Sequence, residues 1–221
     1  MKRILLDGGT AYTKVYFLDE GGYQIIPTRR FKELRDDFEV ELATGYNVSS
    51  YPRRVNELVA LAEGGFALID EPDFTLLDCG ARDVKYVRVE GGKIVEMDWN
   101  TECGAFTGQI IELLTNYFHI SLDKVPREAK RIPVTCGVLG MTKMFDLIAG
   151  GAPYEEAFSG FLKGIAHNCF LLVNRPRKLY LSGGLCENKA FIESFECSVI
   201  PLGRFVLLEG LKRCYFRKGG D

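Results

Sequence analysis

Two segments of the chain carry the same residue types at the same spacing, and these types suit the binding of phosphate and magnesium. Residues 7–14 and residues 78–85 both read Asp-x-Gly-x-x-x-x-Lys. Glycine lets a turn approach a ligand closely, and successive backbone N–H groups in such a turn bind anions. A carboxylate at a strand end suits Mg²⁺, which keeps part of its hydration shell. Two loops of this kind facing one cleft would hold one nucleotide, with Asp7 and Asp78 as the catalytic carboxylates.

Other residues of the two loops are candidates for contact with that nucleotide. Threonine hydroxyls in the first loop are donors, and each loop ends in a lysine that supplies a point positive charge. The candidates are Gly8, Gly9, Thr10, Thr13 and Lys14 in the first loop, and Gly80, Ala81, Arg82, Asp83 and Lys85 in the second. Two ordinary hairpins with glycine-rich turns are the alternative interpretation.

A third segment is a candidate for the adenosine end of the site. The apolar run 179–181 leads into Ser182, Gly183 and Gly184, and a helix is predicted after Asn188. A glycine pair lets a flat purine lie on bare backbone, so Gly183, Gly184 and Asn188 are assigned to this end. A plain strand-to-helix turn is the alternative.

The repeat also predicts the architecture. Each acidic loop follows an apolar run and leads into a second strand-like run, a Gly-Gly turn and a third apolar stretch. Internal repetition of this kind indicates two related lobes. The segment 71–73 separates the repeats, which predicts a first lobe over 1–72 and a second over 73–221. A C-terminal helix over about 205–217 would pack back on the first lobe.

Apolar periodicity and turn residues predict alternating α and β elements. Strands are expected near 3–6, 14–18, 23–26, 40–43, 74–77, 84–90, 93–97, 178–181 and 198–200. Helices are expected near 53–63, 107–118, 139–149, 154–173, 188–195 and 205–215.

Composition limits the class of protein. The chain has 221 residues, 47% of them hydrophobic and 26% charged, which is enough to bury a core. A net charge of −2 without a long basic run argues against nucleic acid as a partner. We find no apolar run of membrane-spanning length and no signal-peptide core, so a cytoplasmic protein without a membrane partner is expected. The odd count of seven cysteines favours a reducing compartment over a disulfide framework.

The order of the three motifs resembles the actin, hexokinase and heat-shock chaperone ATPase fold. Within that fold, the chain resembles the activator ATPases of 2-hydroxyacyl-CoA dehydratases and their relatives that serve benzoyl-CoA reductases. The resemblance spans nearly the whole chain and implies duplicated ribonuclease H-like lobes with a nucleotide cleft between them. The matched positions are Asp7, Gly9, Thr10 and Lys14 in the first loop, residues 43–46 (Ala-Thr-Gly-Tyr), Asp78, Gly80, Asp83 and Lys85 in the second loop, and Ser182, Gly183, Gly184 and Asn188.

Two cysteine motifs of that family align with Cys103 and Cys136. The resemblance implies that each protomer of a homodimer supplies these two thiolates to one shared four-iron four-sulfur cluster. Both cysteines lie just before a predicted helix, and a helix N-terminus lowers a thiol pKa. The alternative is that both are small buried apolar residues.

The resemblance therefore implies an ATP-hydrolysing activator that uses ATP, Mg²⁺ and the iron–sulfur cluster. It would pass electrons from a low-potential donor such as ferredoxin or flavodoxin to a dehydratase-type or reductase-type iron–sulfur client enzyme. The chain departs from the family pattern at Arg82, where the family has Gln, and at Met141 and Lys143. The alternatives are a sugar-type or pantothenate-type kinase of the same fold and a nucleotide-binding module without redox chemistry.

Overall fold

The computed structural model describes residues 1–100, 107–134 and 137–217. Each of the nine predicted strands is present, and most extend further than the apolar runs that predicted them. The strands are β1 (Lys2–Gly8), β2 (Tyr12–Phe17), β3 (Tyr23–Pro27), β4 (Phe38–Thr44), β5 (Phe74–Cys79), β6 (Val84–Glu90), β7 (Lys93–Asn100), β8 (Lys178–Gly183) and β9 (Ser198–Gly203).

The strands form two sheets with the same topology at their centres. The first sheet has the order β3-β2-β1-β4 and the second has the order β7-β6-β5-β8-β9. In each, an antiparallel three-stranded meander is followed by a strand parallel to its first strand. The sequence repeat is therefore a structural repeat, and the predicted duplicated α/β architecture is confirmed. The division of the chain at residues 72 and 73 stays a prediction.

Register places the two motifs identically. Asp7 lies opposite Lys14 across the β1–β2 hairpin, and Asp78 lies opposite Lys85 across the β5–β6 hairpin. Directly opposite residues on an antiparallel pair have side chains within contact distance of each other. Each hairpin therefore brings a carboxylate and an ammonium to the end of the first strand of its sheet.

The described helices are α1 (Thr28–Glu33), α2 (Glu57–Leu68), α3 (Thr107–Tyr117), α4 (Gly137–Ala149), α5 (Tyr154–Leu172), α6 (Lys189–Ile192) and α7 (Val206–Arg217). All six predicted helices are present, although α6 is much shorter than the expected 188–195. The structure adds α1, which lies in a segment for which no helix was predicted. Among the residues that the structure describes, no helix is both long enough and apolar enough to cross a bilayer.

The predicted start of α2 at residue 53 is wrong by four residues. Ala43 donates its N–H to the carbonyl of Arg53 and accepts the N–H of Val55, so residues 53–55 pair with the end of β4. The helix begins only after Asn56, whose Oδ1 accepts the N–H of Leu58 at 2.9 Å. Asn is among the best N-cap residues, so this cap determines where the helix starts.

The core between the two sheets is built around α2 and α7. Leu5 of the first sheet and Leu76 of the second are both fully buried in this cluster. The two helices approach so closely that a Cβ on Gly210 would overlap the carbonyl oxygen of Ala60. Helix α7 also contacts β1, β2 and β4 of the first sheet.

Candidate nucleotide-binding cleft

A cleft of about 410 Å³ lies between the two acidic hairpin loops. Thirteen of the predicted binding and catalytic residues line it, although they come from three separate parts of the chain. They are Asp7, Gly9, Thr10, Lys14, Asp78, Gly80, Ala81, Arg82, Asp83, Lys85, Gly183, Gly184 and Asn188.

Two predicted contacts, Gly8 and Thr13, do not line this cleft. The Oγ1 atom of Thr13 is buried and lies 3.0 Å from Oγ1 of Thr28. A Cβ on Gly8 would lie 2.7 Å from the side chain of Val48. Both residues border a second, smaller cavity. Both residues pack on the side of the first loop that faces away from the cleft. The sequence pattern does not show which side of the loop faces the ligand.

In the first loop, the carboxylate and the ammonium of the motif are paired. Nζ of Lys14 lies 2.7 Å from Oδ2 of Asp7, with side-chain exposures of 12% and 5%. Burial alone would lower the pKa of Lys14, but the negative charges of Asp7 and Asp78 outweigh it and raise this pKa. Because Asp78 comes from the other hairpin, this electrostatic interaction links the two loops across the cleft.

In the second loop, the equivalent carboxylate has a different partner. Ser182 donates its hydroxyl to Oδ1 of Asp78 at 2.6 Å, and both side chains are buried. Parallel pairing of β5 with β8 sets Asp78 beside Ser182. The hydroxyl of the third motif therefore orients the carboxylate of the second.

Lys85 forms ion pairs with two acids other than Asp78. Its Nζ lies 2.6 Å from Oδ1 of Asp83 and 2.9 Å from Oε2 of Glu57. Burial alone would lower the pKa of Lys85, but Asp78, Glu57 and Asp83 together raise it well above its usual value. Burial raises the pKa of Glu57, and the charge of Lys85 only partly offsets this. Lys85 is thus held charged inside a small acidic network.

Sequence reasoning missed four charged residues of the cleft, Glu57, Glu112, Glu187 and Arg204, and two of them could have been found. Glu57 is the first residue of α2, and the N-cap residue Asn56 was the signal that would have placed it there. Arg204 follows the C-terminal end of β9, after Gly203 with φ +85°. Ligand sites of open α/β sheets lie beyond the carboxyl ends of the strands, so its position next to β8 was a usable signal.

A cation–π contact at the cleft wall joins the second acidic loop to the segment that follows β4. Cζ of Arg82 lies 4.1 Å from the ring centroid of Tyr46, whose side chain follows β4 of the first sheet. Tyr46 is 60% exposed and ends the matched Ala-Thr-Gly-Tyr segment. The residue that departs from the family's Gln therefore contacts another element of the predicted site.

The glycine pair of the third motif forms a bare wall. Gly183 has φ +87°, and a Cβ there would overlap the carbonyl of Cys79 in the second hairpin. A Cβ on Gly184 would meet no atom within 4 Å, so its backbone faces open space. This wall fits the predicted role of supporting a flat base.

The predicted cluster ligands Cys103 and Cys136 lie outside the described residues, although the predicted helices α3 and α4 do follow them. Within residues 1–100, 107–134 and 137–217, no group of three or more His, Cys, Asp or Glu side chains is placed to hold a metal ion. Cys79, Cys169 and Cys186 are buried in one apolar cluster. The thiol contact with Cys169, together with burial, raises the pKa of Cys79 well above its usual value, and burial raises that of Cys186 to about 11.

The composition of the cleft fits a magnesium nucleotide. Asp7 and Asp78 carry carboxylate oxygens of the kind that Mg²⁺ binds, and this ion usually completes its shell with water and phosphate rather than with a full set of protein ligands. Lys14, Lys85 and Arg204 supply positive charge, and the glycine turns supply backbone N–H groups.

Two curated relatives match the sequence, whereas no protein-family model does. The (R)-2-hydroxyglutaryl-CoA dehydratase activating ATPase of Acidaminococcus fermentans is 25% identical over 70% of this chain and 64% of that protein. An uncharacterised protein of Methanocaldococcus jannaschii is 24% identical over 86% of this chain and 88% of its own length. The resemblance to dehydratase activators that the motifs predicted is confirmed by the first of these.

Solved structures share the fold over the whole chain. Component A of the (R)-2-hydroxyglutaryl-CoA dehydratase of A. fermentans superimposes with a TM-score of 0.80 at 21% identity, covering 100% of both chains. The activator of the 2-hydroxyisocaproyl-CoA dehydratase of Clostridium difficile, solved with bound ADPNP, has a TM-score of 0.75 at 21% identity, covering 100% of this chain and 98% of that one. A protein of Sinorhizobium meliloti assigned as a 2-dehydro-3-deoxygalactonokinase has a TM-score of 0.62 at 13% identity, covering 99% and 100%. The predicted actin-like ATPase fold is confirmed.

Proposed function

We propose that the protein binds ATP with Mg²⁺ in the cleft, hydrolyses it, and uses this reaction to activate a partner enzyme. The observation that carries the proposal is the convergence of Asp7, Lys14 and Asp78 from two repeated hairpins on one cleft. The sequence relative that is an activating ATPase supports the assignment of ATP as the substrate.

The chemistry of each cleft residue suggests its role in this reaction. Gly9, Thr10 and Gly80 would bind phosphate oxygens, and Lys14 would neutralise their charge. Asp7 would hold Mg²⁺ through water, and this ion, when bound, compensates the charge on the phosphates. Asp78, fixed by Ser182, would orient the water that attacks the terminal phosphorus. Gly183 and Gly184 would support the base.

Calorimetry and phosphate release test these roles. Wild type is expected to bind ADP in a magnesium-dependent manner, and Asp7→Ala is expected to lose most of this affinity. Asp78→Ala is expected to keep more binding than hydrolysis, because its carboxylate acts on the water. Equal binding by wild type and Asp7→Ala, or no binding by either, would overturn the assignment of the cleft.

The activation step requires a redox group in this proposal. Cys103 and Cys136 of each protomer in a homodimer would hold one four-iron four-sulfur cluster, which supplies a single low-potential electron. The electron would come from a donor such as ferredoxin or flavodoxin and pass to an iron–sulfur client of the dehydratase or reductase type. Helices α3 and α4 follow these cysteines in the chain. If the lobes move together when nucleotide binds, these helices would move and change the surroundings of the cluster.

Anaerobic purification with iron analysis tests the redox part separately. About four irons per dimer are expected, because four thiolates complete the usual cluster. Cys103→Ser and Cys136→Ser should each abolish iron binding, since either change removes two ligands through the symmetry. Cys169→Ser is the matched control, because that thiol lies in the apolar core. Full iron loading in Cys103→Ser would contradict the proposal.

A kinase of the same fold is the second candidate, because the cleft extends far enough to hold a second substrate. Polar side chains of α3, namely Glu112, Thr115 and Asn116, also line the cleft beyond the second loop. In a kinase, an acceptor hydroxyl would replace the attacking water. ATP turnover that depends on an added sugar or pantothenate, in an iron-free protein, would favour this candidate over the activator.

A further inference from the structure

Arg204 is a partly buried cation in the wall of the cleft, and its buried Nε is an unsatisfied donor. Its side chain is 19% exposed, and its Nε has no hydrogen-bond partner within the described part of the chain. Leaving a buried donor of a charged group unpaired costs free energy. A residue in this situation fits a partner that the chain itself does not supply.

The carboxylate beside Arg204 does not fill that role. Oε2 of Glu187 lies 3.9 Å from Nη1 of Arg204, which is too long for a hydrogen bond, and the Glu187 side chain is 64% exposed. The guanidinium instead lies over a ring, with Cζ 5.2 Å from the centroid of Tyr12. Stacking on an aromatic face leaves the edge of a guanidinium and its N–H donors available to an anion.

The position of Arg204 connects the parts of the site that have been assigned to phosphate and to adenosine. Glu187, its ion-pair partner, directly precedes Asn188 and follows the glycine wall of Gly184. The positive charge of Arg204 also acts on Lys14 of the first hairpin and slightly offsets the rise in the pKa of Lys14. Tyr12 belongs to that same hairpin. Arg204 therefore lies between the base wall and the phosphate loops.

We propose that Arg204 is a nucleotide-binding residue that donates hydrogen bonds to the phosphate groups of a bound nucleoside diphosphate or triphosphate. The planar guanidinium suits phosphate oxygens better than a lysine ammonium does, because it can donate two parallel N–H bonds. Because Arg204 also packs on Tyr12 of the first hairpin, it would link the bound phosphate to that hairpin. The inference rests on the proposed nucleotide function of the cleft.

Calorimetric titration with two ligands tests the inference. In Arg204→Gln, affinity for Mg-ADP is expected to fall by roughly 10- to 100-fold, the usual range for a lost hydrogen bond to a charged group. Affinity for adenosine, which has no phosphate, is expected to change by less than about threefold. Arg204→Lys keeps the charge without the fork and should recover part of the loss for ADP. Arg29→Gln, on the exposed surface of α1, is the control and should match wild type for both ligands.

Three other results of this titration would overturn the phosphate contact, the inference or the proposed function. An equal loss for ADP and adenosine would overturn the phosphate contact, because it would make Arg204 a support of the base wall. Wild-type ADP affinity in Arg204→Gln would overturn the inference while leaving the proposed function intact. Failure of wild type itself to bind ADP would overturn the proposed function together with this inference. Arg204→Lys provides the same comparison should Arg204→Gln not fold.

Discussion

Lys85 and Glu57 form an ion pair of 2.9 Å between the second acidic hairpin and the first turn of α2. Lys85 is 5% exposed at its side chain and Glu57 is 21% exposed. The equivalent lysine of the first hairpin, Lys14, pairs with Asp7, the carboxylate directly opposite it on β1. The two copies of the repeat have therefore taken different roles, and only the second is tied to a helix.

Removing Lys85 should destabilise the fold strongly. Lys85→Met leaves Glu57 and Asp83 without their shared cation, and breaking a buried ion pair costs about 3 kcal/mol or more of unfolding free energy. Urea denaturation measures this change. Lys2→Met is the matched control, because its pair with Glu20 is exposed and worth less than about 1 kcal/mol. Equal effects of the two substitutions would contradict a structural role for the buried pair.

Glu57 should make stability depend on pH. Its folded pKa is raised above 4.5 by burial, so its favourable contribution is complete below that pH and is lost as pH rises through the folded pKa. Glu57→Gln lacks this titration, and the variant should therefore gain stability relative to wild type as pH rises through the raised pKa of Glu57. The difference between their unfolding free energies across this range is the measurement. Lys85 adds no slope in that window, because its pKa is raised from 10.5 and its contribution is lost only in alkali. A constant difference would show that Glu57 is not desolvated.

Ser182→Ala should separate hydrolysis from binding. The hydroxyl donates to Asp78 at 2.6 Å, and its loss should leave the carboxylate less well oriented. We expect hydrolysis to slow by about tenfold or more, with ADP affinity nearly unchanged, because orientation matters most in the transition state. Ser194→Ala is the control, since that hydroxyl bonds to the carbonyl of Ala190 in its own helical segment. An equal loss of affinity and turnover would place Ser182 in ground-state binding instead.

Tyr46→Ala should speed the release of ADP. The ring centroid lies 4.1 Å from Cζ of Arg82, and the contact links loops of the two sheets, so its removal should weaken the hold of the cleft on a bound nucleotide. Stopped-flow dissociation of a fluorescent ADP analogue is expected to be several-fold faster, as for other exposed cation–π contacts. Tyr46→Phe keeps the ring and should behave much more like wild type. Arg82→Gln should reproduce Tyr46→Ala, and a normal release rate in both would show that the contact does not hold the cleft.

Gly210→Ala tests the close approach of α7 to α2. The added Cβ would overlap the carbonyl of Ala60, and overpacking in a well-packed core costs about 1–3 kcal/mol or more of unfolding free energy. Gly150→Ala is the control, because its Cβ would lie 3.4 Å from carbonyl oxygens of its own helix. Thermal denaturation of both variants gives the comparison. A normal melting temperature for Gly210→Ala would mean that the helices can separate at little cost.

The sequence predicted the architecture because the repeat is local. Each hairpin is contained in one short segment, so its strands, its turn and the pairing of Asp7 with Lys14 follow from spacing alone. The third motif lies beside the second because β8 pairs with β5. These relationships need only strand pairing and chain order.

The residues that sequence reasoning missed depend on distant parts of the chain. Glu57 reaches the cleft because residues 53–55 pair with β4 and delay the start of α2. Arg204 reaches it because β9 adds to the edge of the second sheet beside β8. The converse error, Gly8 and Thr13, arose because successive strand residues face opposite sides, and the motif does not say which side faces the ligand.

The packing of α7 also bears on how the protein is made. Leu5 of β1 and Ala60 of α2 are covered by α7, which is synthesised after both sheets. A ribosome-bound nascent chain that ends before residue 206 would therefore expose this apolar surface, although all of its strands have been translated. Contacts of such long sequence separation form slowly. Chaperones would be expected to engage the growing chain until α7 emerges, and the proposed nucleotide cleft would assemble only after that.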